Sequence, residues 1–358
     1  MARIGLDLAH AYQPHPQQDG DYALLPLAME FEDGGAYALL GPSGCGKTTL
    51  LNIMSGLLLP SQGRVLFDGR DVTHASPQER NIAQVFQFPV VYENMTVAEN
   101  LAFPLRNRRL PGAQIRQRVG AIAEMLELSG QLDQRAAGLG ADVRQKISLG
   151  RGLVRPDVAA VLFDEPLTLI DPQLKWQLRR KLKQIHQELR LTLIYVTHDQ
   201  VEALTFADQV LVMRHGRALQ LGSAAALFER PRHAFVGHFI GSPGMNFLPV
   251  QADGAGLDIA GCRLPAPAGH ALPAGPLQLG VRPEYLTLAA AGQPGALACT
   301  VLQWQDIGTH LLLSATLGGH RLRARLDPQT QPPAVGATVW LQLLGAHTCF
   351  FQNEELLA

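Results

Sequence analysis

The stretch YALLGPSGCGKTTLLNI, residues 37–53, decides how the rest of the chain is read. It opens on a compact apolar run ending in glycine. It then passes through the spacing G-x-x-x-x-G-K-[ST] and continues as a helix-like pattern. Glycines at these positions let backbone N–H groups close around phosphate oxygens, and the N-terminus of the following helix adds partial positive charge. Gly41, Pro42, Ser43, Gly44, Cys45, Gly46, Lys47, Thr48 and Thr49 are therefore the candidate phosphate cradle. Lys47 supplies a point charge for the outer phosphates, and Thr48 offers a hydroxyl to Mg²⁺. A glycine-rich turn without ligand is the bland alternative, and the flanking strand and helix weigh against it.

Working outward, AAVLFDE at 159–165 is apolar until it ends in two carboxylates, as expected of a strand buried on both faces. A carboxylate at the end of such a strand is costly to desolvate unless it meets a cation or hydrogen-bond donors. Asp164 is the candidate magnesium ligand, and Glu165, immediately after it, is placed to polarise an attacking water. Between 173 and 190, Leu174, Leu178, Leu182, Ile185 and Leu189 recur at spacings of three or four, which predicts a helix with one apolar stripe and a basic opposite face. TLIYVTH at 192–198 reads as another buried strand. Strand, helix and strand in this order predict an α/β domain with a parallel sheet.

The chain has 358 residues, beyond the roughly 250–300 at which single cores stop growing, so two domains are expected. The pattern changes near GSPGMNFLP, 241–249. Beyond it, short runs such as LQLGV, YLTLA and TVWLQLL, punctuated by Gly and Pro, predict a small all-β, barrel-like domain. The expected division is 1–240 and 246–358. Residues 13–22, QPHPQQDGDY, read as an exposed hairpin or loop. A formal net charge of -1 carries no basic footprint for nucleic acid. No run approaches the ~18 apolar residues of a membrane-spanning helix, and the first residues do not read as a secretory signal. The four scattered cysteines have no metal-ligand spacing and suit a reducing cytoplasm.

With these motifs in order, the chain resembles the ATP-binding subunits of ABC transporters over essentially its whole length. The resemblance implies an α/β P-loop NTPase domain with a helical subdomain, followed by a small all-β, OB-like TOBE domain. It also implies an ATP hydrolase coupled to solute transport, with ATP and Mg²⁺ as cofactors. AQVFQFP carries Gln87, matching a glutamine that senses nucleotide, joins Thr48 and Asp164 around the metal and contacts the membrane partner. VLFDEP supplies the family's magnesium-binding aspartate at Asp164 and catalytic glutamate at Glu165. LTLID carries Asp171, matching a loop that crosses the dimer interface. YVTHDQ carries His198, matching the histidine that contacts the γ-phosphate, and Glu202 follows in a segment typical of importer ATPases. Tyr12 in HAYQ matches the aromatic that stacks on adenine, with Tyr22 as the competing candidate.

The tail is similar to the accessory domain of maltose-type carbohydrate importers, and within that group the chain is most similar to an ATPase of glycerol-type uptake systems. The implied partners are transmembrane permease subunits, a second ATPase subunit and, indirectly, a solute-binding protein, at the cytoplasmic face of a bacterial inner membrane. Apolar Val90, Val91, Tyr92 and Met95 are candidates for the permease-docking groove or for internal packing. One departure stands out. The family signature LSGGQ falls on Leu139-Gly140-Ala141-Asp142-Val143, so its serine is missing and Asp142 brings a carboxylate toward a phosphate. Two anions at ~4 Å repel by about 1 kcal/mol in water and by more in a drier interface. Asp142 is also read as a helix N-cap. The degeneracy suggests a non-identical ATPase partner. The rival readings are a soluble ABC-type ATPase of translation or repair, and a mainly regulatory subunit.

Overall fold

The computed structural model describes residues 2–168, 170–253, 256–265 and 272–357. The chain divides into two compact units, Met1–Ala224 and Ala225–Ala358.

In the first unit the strands are β1 (Ile4–Ala11), β2 (Tyr22–Phe31), β3 (Ala36–Leu40), β4 (Gln62–Phe67), β5 (Arg70–Asp71), β6 (Ala83–Val85), β7 (Val161–Asp164), β8 (Leu193–Thr197), β9 (Gln209–Arg214) and β10 (Arg217–Gly222). Its helices are α1 (Lys47–Ser55), α2 (Pro77–Arg80), α3 (Val97–Asn107), α4 (Gly112–Met125), α5 (Ala141–Leu153), α6 (Pro172–Leu189) and α7 (Gln200–Phe206). One sheet runs β10-β9-β3-β8-β7-β6, parallel throughout except for the β9–β10 hairpin. Every residue of β3 and β8 is buried, which is why both read as uninterrupted apolar runs. The second sheet is antiparallel, in the order β2-β1-β4-β5. Helix α1 contributes Leu50, Leu51, Ile53 and Met54 to a core that also holds Ile4, Leu6 and Val65 of one sheet and Leu39, Leu162 and Val196 of the other. The helix after the glycine loop is thus packed from both sides, and the loop at its start is anchored by it.

Helices α3, α4 and α5 pack on one another, and α5 also packs against β6, where a Cβ on Gly152 would meet Val85 at 2.6 Å. Gly150 of α5 lets it approach closely, since an added Cβ would meet Leu101 of α3 at 2.5 Å and Leu126 at 3.0 Å. Helix α6 buries Leu178, Leu182 and Ile185, the inner part of the stripe read from the sequence, and leaves Leu174 and Leu189 half-buried.

The second unit is built on two antiparallel sheets. One has the strand order Cys262–Pro265, Gly256–Ile259, Asn246–Ala252, Gly275–Val281, Cys349–Gln352 and Glu355–Leu356. The other runs Thr287–Ala289, Thr338–Gln342, Ala296–Asp306, Leu311–Leu317 and His320–Leu326. Leu248, Leu279, Val301, Leu313 and Leu341 fill the space between them. The buried Asn246 amide joins the sheets: it donates to Val281 O and Arg323 O and accepts from the Arg323 amide. The connector ahead of residue 246 packs with this unit. Buried Arg282 reaches back to the carbonyls of Leu227, Phe228, Gly237 and Ile240, and its guanidinium lies 4.0 Å from the Phe228 ring. Those bonds carry the compact unit back to residue 225, upstream of the composition change that set the sequence-based division.

Candidate active site

The parallel strands of the first unit deliver their following residues to one edge of the sheet, the edge at which ligands bind in open α/β folds. The glycine loop follows β3. Asp164 ends β7 with Glu165 next to it, His198 follows β8, and Gln87 lies two residues past β6. The register aligns these exits, pairing Leu40 with Thr197 and Asp164 with Val196.

Two glycines of the loop are forced by close approach. A Cβ on Gly41 would sit 2.3 Å from Met213 O, and one on Gly46 would sit 2.5 Å from Ala23 O at a φ of 101°. Gly46 is also the N-cap of α1 and offers no side-chain acceptor, so the first-turn amides of α1 remain aimed at the loop. Pro42, Ser43 and Gly44 form its exposed crest, while Cys45 is buried beneath it with its thiol pushed up by that burial. The Lys47 ammonium donates to Gly41 O at 2.8 Å and Pro42 O at 2.9 Å, which seats a buried cation inside the cradle.

Thr48 Oγ1 donates to Asp164 Oδ1 at 3.3 Å. Burial holds the Asp164 carboxyl above its ordinary range; Glu165 pushes the same way, while the Thr48 bond and the Lys47 charge oppose. A hydroxyl and a carboxylate side by side, oxygen donors only, fit Mg²⁺, which binds through one or two protein oxygens plus substrate phosphates. Gln87 does not join them: it is half-buried between exposed Phe86 and Phe88 and makes no hydrogen bond to Thr48 or Asp164 among the described residues.

Glu165 has a φ of 46°, a left-handed conformation that a non-glycine residue adopts only under constraint. Its amide donates to Val196 O at 3.0 Å. Its Oε2 accepts from Thr168 Oγ1 at 3.1 Å and lies 3.1 Å from His198 Nδ1. The two residues that the sequence separates by a helix and a strand thus meet directly. Thr168 escaped sequence reasoning, because a hydroxyl three residues past an acid is a common loop feature. Buried Gln145 of α5 was missed as well; its amide donates to Pro166 O, tying the signature helix to the loop after Glu165.

Tyr12 is 67% exposed, and its hydroxyl lies 3.1 Å from Thr49 Oγ1, beside the first turn of α1. The His10 ring stands perpendicular to the Tyr12 ring, their centroids 4.7 Å apart. Tyr22 is half-buried at the start of β2, paired with Ala11. Asp171 is the N-cap of α6, accepting from the Gln173 amide at 2.9 Å. Asp142 is not the N-cap expected for the signature helix. Gly140 holds that position, and Asp142 sits in the first turn of α5. Its carboxylate folds back so that a Cβ on Gly140 would be 2.7 Å from Oδ1. The first turn favours an acid through the helix dipole rather than through a capping bond.

Val90 and Tyr92 are exposed, and Val91 and Met95 are half-buried. Val90 lines a groove of about 250 Å³ together with Gln84, Phe86, Pro104, Arg151 and Arg155. The Arg151 guanidinium lies 4.4 Å over the Tyr92 ring. No helix among the described residues is long and apolar enough to cross a membrane.

Comparison with known proteins gives three family matches: ABC transporter over residues 24–168, MalK OB fold domain over 241–286 and TOBE domain over 279–351. The chain is 41% identical to the sn-glycerol-3-phosphate import ATP-binding protein UgpC of Salmonella typhi, covering 92% of this chain and 93% of that protein. The Escherichia coli (strain K12) protein of the same name is 39% identical over the same shares. That of Cereibacter sphaeroides is 46% identical over 75% of each chain. Among solved structures, cbiO1 from Clostridium perfringens, part of the ABC transporter complex cbiONQ, matches with a TM-score of 0.57 at 27% identity. It covers 64% of this chain and 90% of that one.

Proposed function

This chain belongs to the ABC transporter ATP-binding family, and from that premise we propose that it energises import of sn-glycerol-3-phosphate or a closely related glycerol-like solute, as its relatives' names state for them. In this reading the cradle from Gly41 to Thr49 holds the ATP phosphates, Lys47 neutralises the outer ones and Tyr12 stacks on adenine. Thr48 and Asp164 hold Mg²⁺, with Gln87 brought in from the same sheet edge. The bound ion would neutralise charge developing on the transferred phosphoryl group. Glu165 polarises the attacking water, and His198 stabilises the charged transition state. The observation that carries this reading is the double contact at one sheet edge, Thr48 on Asp164 and His198 on Glu165. Phosphoryl transfer needs mainly positioning and electrostatics, and both contacts supply those.

The subunit works at the cytoplasmic face of a bacterial inner membrane, beneath permease subunits whose cytoplasmic helix enters the groove beside Val90, and a solute-binding protein delivers the cargo. A second ATPase subunit completes the site head to tail. The Gly140-Ala141-Asp142 loop, with no serine hydroxyl and with a carboxylate in its first turn, favours a non-identical partner carrying an intact signature.

The test is Glu165→Gln. Nucleotide titration is expected to give an affinity within about twofold of wild type, while phosphate release falls by about 10²–10⁴-fold, the range of a lost general base. Loss of binding together with turnover would contradict the assignment. For the pairing, the chain purified alone is expected to turn over poorly; homodimeric turnover matching the assembled transporter would refute it.

A further inference from the structure

Glu202 is 4% exposed, and the chemistry at the sheet edge gives it no role. A carboxylate so buried is strongly disfavoured unless donors converge on it. Here they do: Tyr195 Oη donates to Glu202 Oε2 at 3.0 Å and Thr197 Oγ1 donates to the same oxygen at 2.9 Å. The Thr197 hydroxyl oxygen in turn accepts from the Asp199 amide at 3.0 Å. Asp199 Oδ1 accepts from the Glu202 amide at 3.1 Å and from the Val201 amide at 2.7 Å, capping α7. These bonds close a ring: Thr197 hydroxyl to Glu202 carboxylate, Glu202 amide to Asp199 carboxylate, and Asp199 amide to Thr197 hydroxyl. His198 is the residue spanned by that ring.

The imidazole itself is 54% exposed, and among the described residues its polar partner is Glu165, so its position is inherited from the backbone on either side. The ring is anchored at the back by Tyr195, fully buried with its ring 5.1 Å from Phe206 and 6.0 Å from Phe163, the residue before Asp164. Burial and the neighbouring Glu202 push the Tyr195 phenol well above its ordinary value, so it stays a donor. On its other oxygen, Glu202 Oε1 lies 3.8 Å from Lys175 Nζ. Lys175 stands one turn into α6, its amide bonded to the carbonyl of the capping residue Asp171 at 2.9 Å.

We infer that Glu202 is a positioning residue for the reaction: it fixes the loop that presents His198 and ties that loop, through Lys175, to the helix capped by Asp171. The inference rests on the proposal that His198 acts at the terminal phosphate. It adds a mechanical link between that residue and α6, whose start belongs to the segment expected to meet the second ATPase subunit.

The cleanest probe is Thr197→Val in the full chain assembled with its transporter, because valine keeps the branched shape and removes the hydroxyl that closes the ring. The maximal ATPase rate is expected to fall about tenfold or more, as misplacement of a positioned group does. KM for ATP should stay within about twofold. Thr197→Ser, which restores the hydroxyl, should return the rate to within about twofold of wild type. Lys175→Met should lower the rate without weakening nucleotide binding. In a His198→Ala background, measured by single-turnover phosphate release, Thr197→Val should cause no further loss, because both act through one group. A merely structural role predicts equal losses in both backgrounds, and that result would overturn the inference, as would a Thr197→Val enzyme of wild-type rate. Wild-type turnover by Lys175→Met would overturn the link to α6. An unimpaired His198→Ala enzyme would bring down the assignment of His198 and the inference with it, and that single variant identifies the case.

Discussion

Arg80 offers a sharp test of how the phosphate loop is supported. The residue is 2% exposed, and its guanidinium donates to four carbonyls: Nε to Ala75 O at 3.0 Å, Nη1 to Ile53 O at 2.6 Å and Met54 O at 3.0 Å, and Nη2 to Thr73 O at 2.7 Å. Ile53 and Met54 lie in the last turn of α1, whose carbonyls have no partner further along the helix. The arginine therefore closes the end of the helix whose other end carries the phosphate loop. Arg80→Met keeps much of the stem's packing and removes every donor. Ile53 O retains the Gly56 amide at 3.2 Å, so the loss falls on the carbonyls of Met54, Thr73 and Ala75. At about 1–3 kcal/mol for each orphaned group, moderated by relief of the guanidinium's own desolvation, the expected cost is about 3–5 kcal/mol. For a unit of 224 residues this corresponds to a fall in Tm of about 6–20 °C, at ~2–4 °C per kcal/mol. Scanning calorimetry of the full chain would show the shift in the transition that ATP raises, and ATP affinity should weaken in parallel. A fall of less than about 3 °C, or an Arg80→Lys variant as stable as wild type, would refute the reasoning, since a lysine point charge lacks the planar fork that serves four acceptors.

Other outcomes follow from the same geometry. Because burial raises the Asp164 carboxyl, the native state holds that proton more tightly than the unfolded chain. This contribution favours folding at low pH and is lost as pH rises from the ordinary carboxylate range through the raised native value. Nucleotide-free Asp164→Asn is therefore expected to melt above wild type at pH 7, with the gap closing toward pH 4; a gap independent of pH in thermal-shift assays would count against it. Tyr12→Ala should raise KM for ATP by about 5–150-fold, the range of ~1–3 kcal/mol of base stacking, whereas Tyr22→Ala should change it by less than about twofold. Steady-state titration separates the two, and the reverse pattern would move the adenine platform to Tyr22. Thr168→Val should lower turnover by removing a hydroxyl that, with His198, meets Glu165 Oε2, while leaving ATP affinity intact, and a parallel loss of affinity would argue for a general packing defect.

Placed in the first turn of α5 rather than at its cap, Asp142 gains from the helix dipole without supplying a capping bond. Its carboxylate leans over Gly140, where the family's serine would stand. An Asp142→Gly variant would remove that charge and free the turn. Copies of the chain alone should then turn over ATP faster than wild type, and an unchanged rate would mean that Asp142 is not what limits the site.

The parts whose physics is local are legible in the residues alone. The phosphate loop is legible because only glycines tolerate the approach to Met213 O and Ala23 O within one short turn. The strand ending at Asp164 is legible because Val161, Leu162 and Phe163 must all suit a sheet buried on both faces, and the acids that follow break that apolarity abruptly. The all-β character of the tail is legible in the density of short apolar runs between turns, whereas its TOBE character rests on resemblance to the family. Which of these residues touch is set by the order of strands and by packing. Glu165 meets His198 because β8 lies beside β7 in the sheet, an order that no local spacing encodes. Gln145, Arg80 and the ring around His198 are equally silent in sequence, since each pairs an ordinary polar residue with a backbone group or carboxylate brought close by packing. Buried hydrogen bonds are satisfied in three dimensions, and the chain fixes the donors long before it fixes their acceptors.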